Sequence, residues 1–133
     1  MVIMMKDEKE RFVRNQFVLE GNVSSFGKPY SRGNDKQRMR FTLAQTRNDN
    51  TQFVPIILPT KLVETYGKSI QKGDWLTVKG SINSYSKRIE KNGEEHNEQR
   101  VDIIALEVEN KKTKQIYKSD GSIVAKEEKE MER

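Results

Sequence analysis

A chain of 133 residues, with 25 lysines and arginines against 20 aspartates and glutamates, has room for one compact domain and a net charge of +5. With no cysteine and one histidine, His96, it can build neither a disulfide nor a thiolate or multi-histidine metal site. Charged residues make up 34% and hydrophobic ones 33%, so the core must be small; the regular apolar spacing of the middle argues against a wholly disordered chain.

Met1-Val2-Ile3-Met4-Met5 opens the chain and gives way to charge at Lys6. Five apolar residues are too few for a signal-peptide core or a membrane span, so the expectation is a cytoplasmic protein with no membrane contact and a charged N-terminal arm over 1–14. The first strand lies around Phe17-Val18-Leu19-Glu20-Gly21-Asn22-Val23, where the glycine predicts a bulge or sharp bend. Residues 26–37, with Gly27, Pro29, Ser31, Gly33, Asn34 and Asp35, read as a loop.

The second strand alternates strictly. Met39, Phe41 and Leu43 share one face, and Arg38, Arg40 and Thr42 share the other. Asn48-Asp49-Asn50 turns the chain into Gln52-Phe53-Val54-Pro55-Ile56-Ile57-Leu58, the third strand, whose edge must be open at Pro55. Within it Phe53 opposes Val54, Ile56 and Leu58 in parity and is expected to face out. Residues 59–67 predict a short helix with Thr60 as N-cap and Gly67 just past its end.

After the turn Lys72-Gly73-Asp74 the fourth strand places Leu76, Val78, Gly80 and Ile82 inward, and Trp75, Thr77, Lys79, Ser81, Asn83 and Tyr85 outward. Trp75 is expected to pack on the helix or at a subunit interface. Asn92-Gly93 sits midway in a polar ribbon from 86 to 99, a strong hairpin signal, with His96 a polar residue near its tip. Residues 101–108 form the last strand. Residues 111–133 read as a charged tail, flexible or partly helical, whose removal after Asn110 would leave the domain folded.

Three strands, a short helix and two more strands predict an all-β fold: a five-stranded Greek-key barrel of the OB type over 15–110, with one helix between strands three and four. The positive charge is concentrated early. Residues 26–51 hold Lys28, Arg32, Lys36, Arg38, Arg40 and Arg47 against Asp35 and Asp49, whereas the four basic and four acidic residues of 87–100 cancel.

Phe17-Val18-Leu19-Glu20-Gly21-Asn22-Val23, Phe41-Thr42-Leu43-Ala44, Ile56-Ile57-Leu58 running into Lys61-Leu62, and Lys72-Gly73-Asp74 with Val78-Lys79-Gly80-Ser81-Ile82 together resemble the bacterial single-stranded DNA-binding proteins. The resemblance covers residues 16–109 and implies an OB fold, binding of single-stranded DNA without sequence preference, and assembly into a dimeric or tetrameric homo-oligomer. It also implies base stacking on aromatic residues. Phe53 matches one stacking position, whereas Asp49 and Pro59 stand at two others, and the hairpin position falls on Lys87 or Arg88 with Tyr85 just before it.

The expected DNA-binding residues are therefore Arg38, Arg40, Thr42, Arg47, Phe53, Tyr85, Lys87 and Arg88, with Tyr30 and Phe26 in reserve. Single strands are held by such a combination of phosphate-tracking cations and stacking rings. Members of this family that recruit enzymes carry an acidic tail with a Pro-Phe tip, which the ending Lys129-Glu130-Met131-Glu132-Arg133 does not resemble. No Gly-rich phosphate loop, nucleophile with a base, or carboxylate cluster suggests catalysis or a cofactor. Two rival readings remain open on sequence: an interaction module of a replication or mobile-element complex with weak nucleic-acid affinity, and a preference for RNA.

Overall fold

The computed structural model describes residues 14–31 and 33–126. Most of the expected N-terminal arm, the loop cation Arg32 and the end of the tail from Glu127 lie outside the described residues. In chain order the elements are β1 (Phe17–Phe26), β2 (Tyr30–Ser31), β3 (Gln37–Arg47), β4 (Asn50–Leu58), α1 (Thr60–Glu64), a 3-10 turn (Tyr66–Lys68), β5 (Trp75–Lys91), β6 (Glu94–Asn110), β7 (Gln115–Lys118) and β8 (Ile123–Ala125). The long strands β1, β3, β4, β6 and β5 close a barrel. β1 pairs with β3 and β5, β3 with β4, β5 with β6, and a single parallel bridge from Ile57 to Ile104 joins β4 to β6. This is the five-stranded OB barrel, with its helix between the third and fourth long strands.

Two hairpins set the register. Asn48 and Asp49 (φ 52° and 69°), and Asn92 and Gly93 (φ 54° and 79°), form two-residue turns in the left-handed region. Those conformations match the twist of the flanking strands, and Asn, Asp and Gly adopt them at the least cost.

Two glycines let strands cross at close range. A Cβ on Gly21 would sit 2.4 Å from the Ala44 carbonyl oxygen, at the point where β1 leaves β5 for β3. One on Gly80 would sit 1.9 Å from the Ile104 carbonyl oxygen and 2.8 Å from the Phe17 ring, beside the register shift between Lys79 and Gly80. The bend predicted at Gly21 is thus a corner of the barrel.

Alternation delivers the core. Met39, Phe41 and Leu43 from β3 meet Ile56 and Leu58 from β4 and Leu76 and Val78 from β5, all buried. Leu62 and Val63 of α1 and the Tyr66 ring cover one end. The Tyr66 hydroxyl donates to Asp74 Oδ2 at 2.6 Å, and the Gln71 amide donates to the same oxygen at 3.0 Å. Burial, then the hydrogen bond and charge of Asp74, push the Tyr66 pKa far above the ordinary phenol value.

Around the helix and at Ile82, local expectations differ from the structure. The helix spans five residues with Pro59 in the N-cap position. Thr60 is not its cap: the Thr60 hydroxyl donates to the Gln37 carbonyl at 3.1 Å and accepts from the Gln37 amide at 3.0 Å, tying α1 to the start of β3. Gly67 lies inside the 3-10 turn rather than past a longer helix. Ile82 is 44% exposed, because β5 and β6 run on past the barrel and no core lies beneath them there.

The largest difference lies beyond Asn110. Through Lys126 the segment read as a flexible or partly helical tail forms β7 and β8, which extend the sheet from β6. Asn110 starts that turn: its side-chain Oδ1 accepts from the amides of Lys112 (3.0 Å) and Thr113 (3.2 Å). Tyr117 on β7 is only 6% exposed and joins the core.

Candidate nucleic-acid interface

Residues paired across an antiparallel ladder share a face of the sheet. Since Met39, Phe41 and Leu43 point in, Arg38, Arg40, Thr42 and Ala44 point out. Their partners on that face are Tyr30 opposite Arg38, Ile57 opposite Arg40, Pro55 opposite Thr42 and Phe53 opposite Ala44. Phe53 is 62% exposed, and the small side chain of Ala44 beside it leaves the ring uncovered. Pro55 has no amide to donate, and β4 can spare one because its ladder to β6 consists, among the described residues, of the bridge at Ile57. From Arg38 to Ala44 the face is roughly 20 Å long, at about 3.3 Å per residue.

The β5–β6 ribbon supplies the other side. Its ladder continues to Lys91 opposite Glu94, so the strands project well past the barrel. Tyr85, 38% exposed, stands opposite Arg100, and Lys87 opposite Glu98 on the same face. Arg88, opposite Asn97, lies on the reverse face and leans toward Glu95 at 3.7 Å. Arg100 is clamped by Glu98, with its Nε and Nη2 at 2.6 and 2.5 Å from one carboxylate oxygen. Counting back four residues on each strand from the Ile57–Ile104 bridge brings Phe53 level with Arg100, the cross-strand partner of Tyr85. Phe53 and Tyr85 thus face outward on either side of the gap where β4 and β6 part.

Of the residues singled out from sequence, Arg38, Arg40, Thr42 and Phe53 share one continuous face, and Tyr85 and Lys87 border it across that gap. Arg47 is exposed at the far end of β3, opposite Asn50. Arg88 is turned away from the others. Tyr30, held in reserve as a loop residue, gains a place because β2 sets it beside Arg38; Phe26 stands opposite Phe41 on the partly exposed end of β1. His96 Nε2 lies 3.6 Å from Glu94 Oε1, near the hairpin tip. Trp75 does not pack into the core: it is 53% exposed, with the Lys111 ammonium 5.9 Å from its ring centroid. The indole expected against the helix or a subunit interface is thus open to solvent within the chain, beside a lysine that no local window of sequence places there.

Among the described residues, no three or more metal-ligating side chains converge and no helix is long and apolar enough to cross a membrane.

A closed five-stranded barrel with arginines, a threonine and an uncovered ring on the outer face of two adjacent strands defines an OB-fold nucleic-acid-binding protein. Residues 14–110, 97 of the 133, match the Single-strand binding protein family. The chain belongs to that family, a non-enzymatic one that binds single-stranded DNA. No curated protein matches the chain closely enough to serve as a relative.

Proposed function

We propose that the protein coats exposed single-stranded DNA without reading its sequence, during replication, recombination or repair in the cytoplasm, as a homodimer or homotetramer. The observation that carries this reading is Phe53: a ring 62% exposed on the same sheet face as Arg40 and Thr42. Every base has a π-face and every nucleotide a phosphate, so a ring flanked by cations holds any sequence. Arg38, Arg40, Arg47 and Lys87 meet phosphates, Thr42 adds a polar contact, and Phe53 and Tyr85 take bases.

A second reading, an interaction module with weak affinity for DNA or RNA, draws on Asp49 and Pro59. They stand where the family resemblance puts aromatics, and in the fold they are a turn residue and the residue before α1. Fluorescence anisotropy with labelled oligo-dT, oligo-U and duplex DNA at two salt concentrations separates these readings. Coating predicts tight oligo-dT binding over duplex; comparably weak binding to all three would support the interaction module instead.

A further inference from the structure

The row of outward side chains that contains Phe53 does not stop at β3. Ala44, opposite Phe53, is also opposite Asn22 of β1, and Asn22 is opposite Trp75 of β5. Four adjacent strands thus contribute Phe53, Ala44, Asn22 and Trp75 in register, with a small and a short polar residue between two exposed rings. At about 4.8 Å per strand the rings lie roughly 14 Å apart along the sheet.

A cleft of about 650 Å³ opens beside this row, with Asn22 and Ala44 on its floor, Arg47 and Gln52 on the β3–β4 hairpin side and Trp75 opposite. That volume falls within the ~300–1,000 Å³ of sites that hold small ligands. The cleft exists because the β1–β3 ladder runs only from Asn22 onward, so the strands part below it. Side-chain amides bridge the gap: Gln45 Nε2 donates to the Glu20 carbonyl at 2.9 Å, and Gln52 Nε2 to Gln45 Oε1 at 2.7 Å.

The surroundings favour a polyanion over a protein. Arg47 stands on one side of Trp75; Lys72 and Lys112 line the adjoining hollow on the other, beside Lys111, whose charge is shared with Glu20. The two acids of these clefts are engaged: Glu20 by Lys111 at 3.0 Å, and Asp74 by the Tyr66 hydroxyl. A cationic rim around an exposed indole and neutral amides suits a nucleobase with its phosphates.

We propose that this cleft is a second nucleotide subsite, in which the DNA strand crossing Phe53 continues over Ala44 and Asn22 and stacks a base on Trp75. The inference rests on the DNA-coating reading, and the experiment distinguishes the failure of each. Trp75 is the only tryptophan of the chain, so its emission reports on this cleft alone.

The full chain is titrated with labelled oligo-dT of about 4 and about 16 nucleotides, the span that OB barrels cover. Anisotropy follows binding and tryptophan emission follows the indole. The longer strand should quench emission about twofold or more, as base stacking does, while the shorter one quenches much less. Trp75→Ala, read by anisotropy, should weaken the longer strand about tenfold and leave the shorter one and the melting temperature unchanged. Binding of the longer strand with unaltered emission would overturn the subsite and leave the coating reading intact. Equal weakening of both strands by Trp75→Ala would also overturn it. Emission that follows protein concentration but not DNA would place the indole between copies of the chain, against the proposal. Absence of any anisotropy change would refute DNA coating, and the subsite with it.

Discussion

The rings of Tyr66 and Tyr117 pack obliquely, with centroids 5.2 Å apart and planes inclined by 49°. Tyr66 follows α1, whereas Tyr117 belongs to β7, beyond the stretch that matches the family. Both rings are buried, so the hairpin after Asn110 completes the end of the core that α1 begins to cover. Truncation after Asn110 should therefore lower the melting temperature sharply rather than leave a folded barrel. Tyr117→Ala should cost about 3 kcal/mol, in the range of large aromatic-to-alanine losses in cores. Thermal melts followed by circular dichroism check both.

Tyr66 also predicts an alkaline limit. Its folded-state pKa is raised above the ordinary value of 10.0, first by burial and then by Asp74. The folded state thus keeps a proton that the unfolded chain releases, so this contribution is intact below about pH 10 and is lost as the pH climbs beyond it. Tyr66→Phe should flatten that alkaline decline. It should also cost roughly 1.5–3 kcal/mol near neutrality through the lost hydrogen bond to a carboxylate. Melting curves across pH 7–11, wild type against variant, give the comparison.

Phe53→Ala should weaken single-stranded DNA binding by about 1–3 kcal/mol. The melting temperature should barely move, because the ring is mostly in solvent and not part of the core. A loss of stability as large as a core truncation would count against a stacking role.

Salt dependence distinguishes the cations. About four phosphate contacts from Arg38, Arg40, Arg47 and Lys87 give a log–log salt slope near −3, at roughly −0.7 per contact on a single strand. Arg40→Ala should reduce that slope by about 0.7 and weaken all sequences alike. Lys87→Ala should do the same, whereas Arg88→Ala, on the reverse face of the ribbon, should leave the slope nearly unchanged. Titrations at several salt concentrations decide.

Period-two alternation made the barrel legible, because one buried face leaves no freedom of register: Met39, Phe41 and Leu43 fixed the inside, and Arg40 and Phe53 followed outside. The tight turns at Asn48-Asp49 and Asn92-Gly93 were equally plain, since few residues tolerate those dihedrals. Ile82 misled because parity tells which side a residue takes, not whether a core continues beneath it. Tyr117 stayed hidden for the opposite reason. Its short strand sits among lysines, and its burial depends on Tyr66, fifty-one positions earlier. Tyr30 and Trp75 gained meaning only from cross-strand neighbours, Arg38 and Asn22, that no local window contains.

The way the barrel closes also sets a timetable. The turns at Asn48-Asp49 and Asn92-Gly93 join sequence neighbours, and hairpins of that kind form in about 1–10 μs. Closure must instead bring Phe17 to Gly80 and Ile57 to Ile104, and the Tyr66–Tyr117 contact must wait for β7. Such distant encounters slow folding, toward the milliseconds-to-seconds range of β-rich domains. On a ribosome adding about 5–20 residues each second, β1 waits for seconds before β5 is made. During that interval the apolar side chains of β1 and β3 have no completed barrel to enter, and a nascent chain halted before β7 would be the form most exposed to chaperones and proteases.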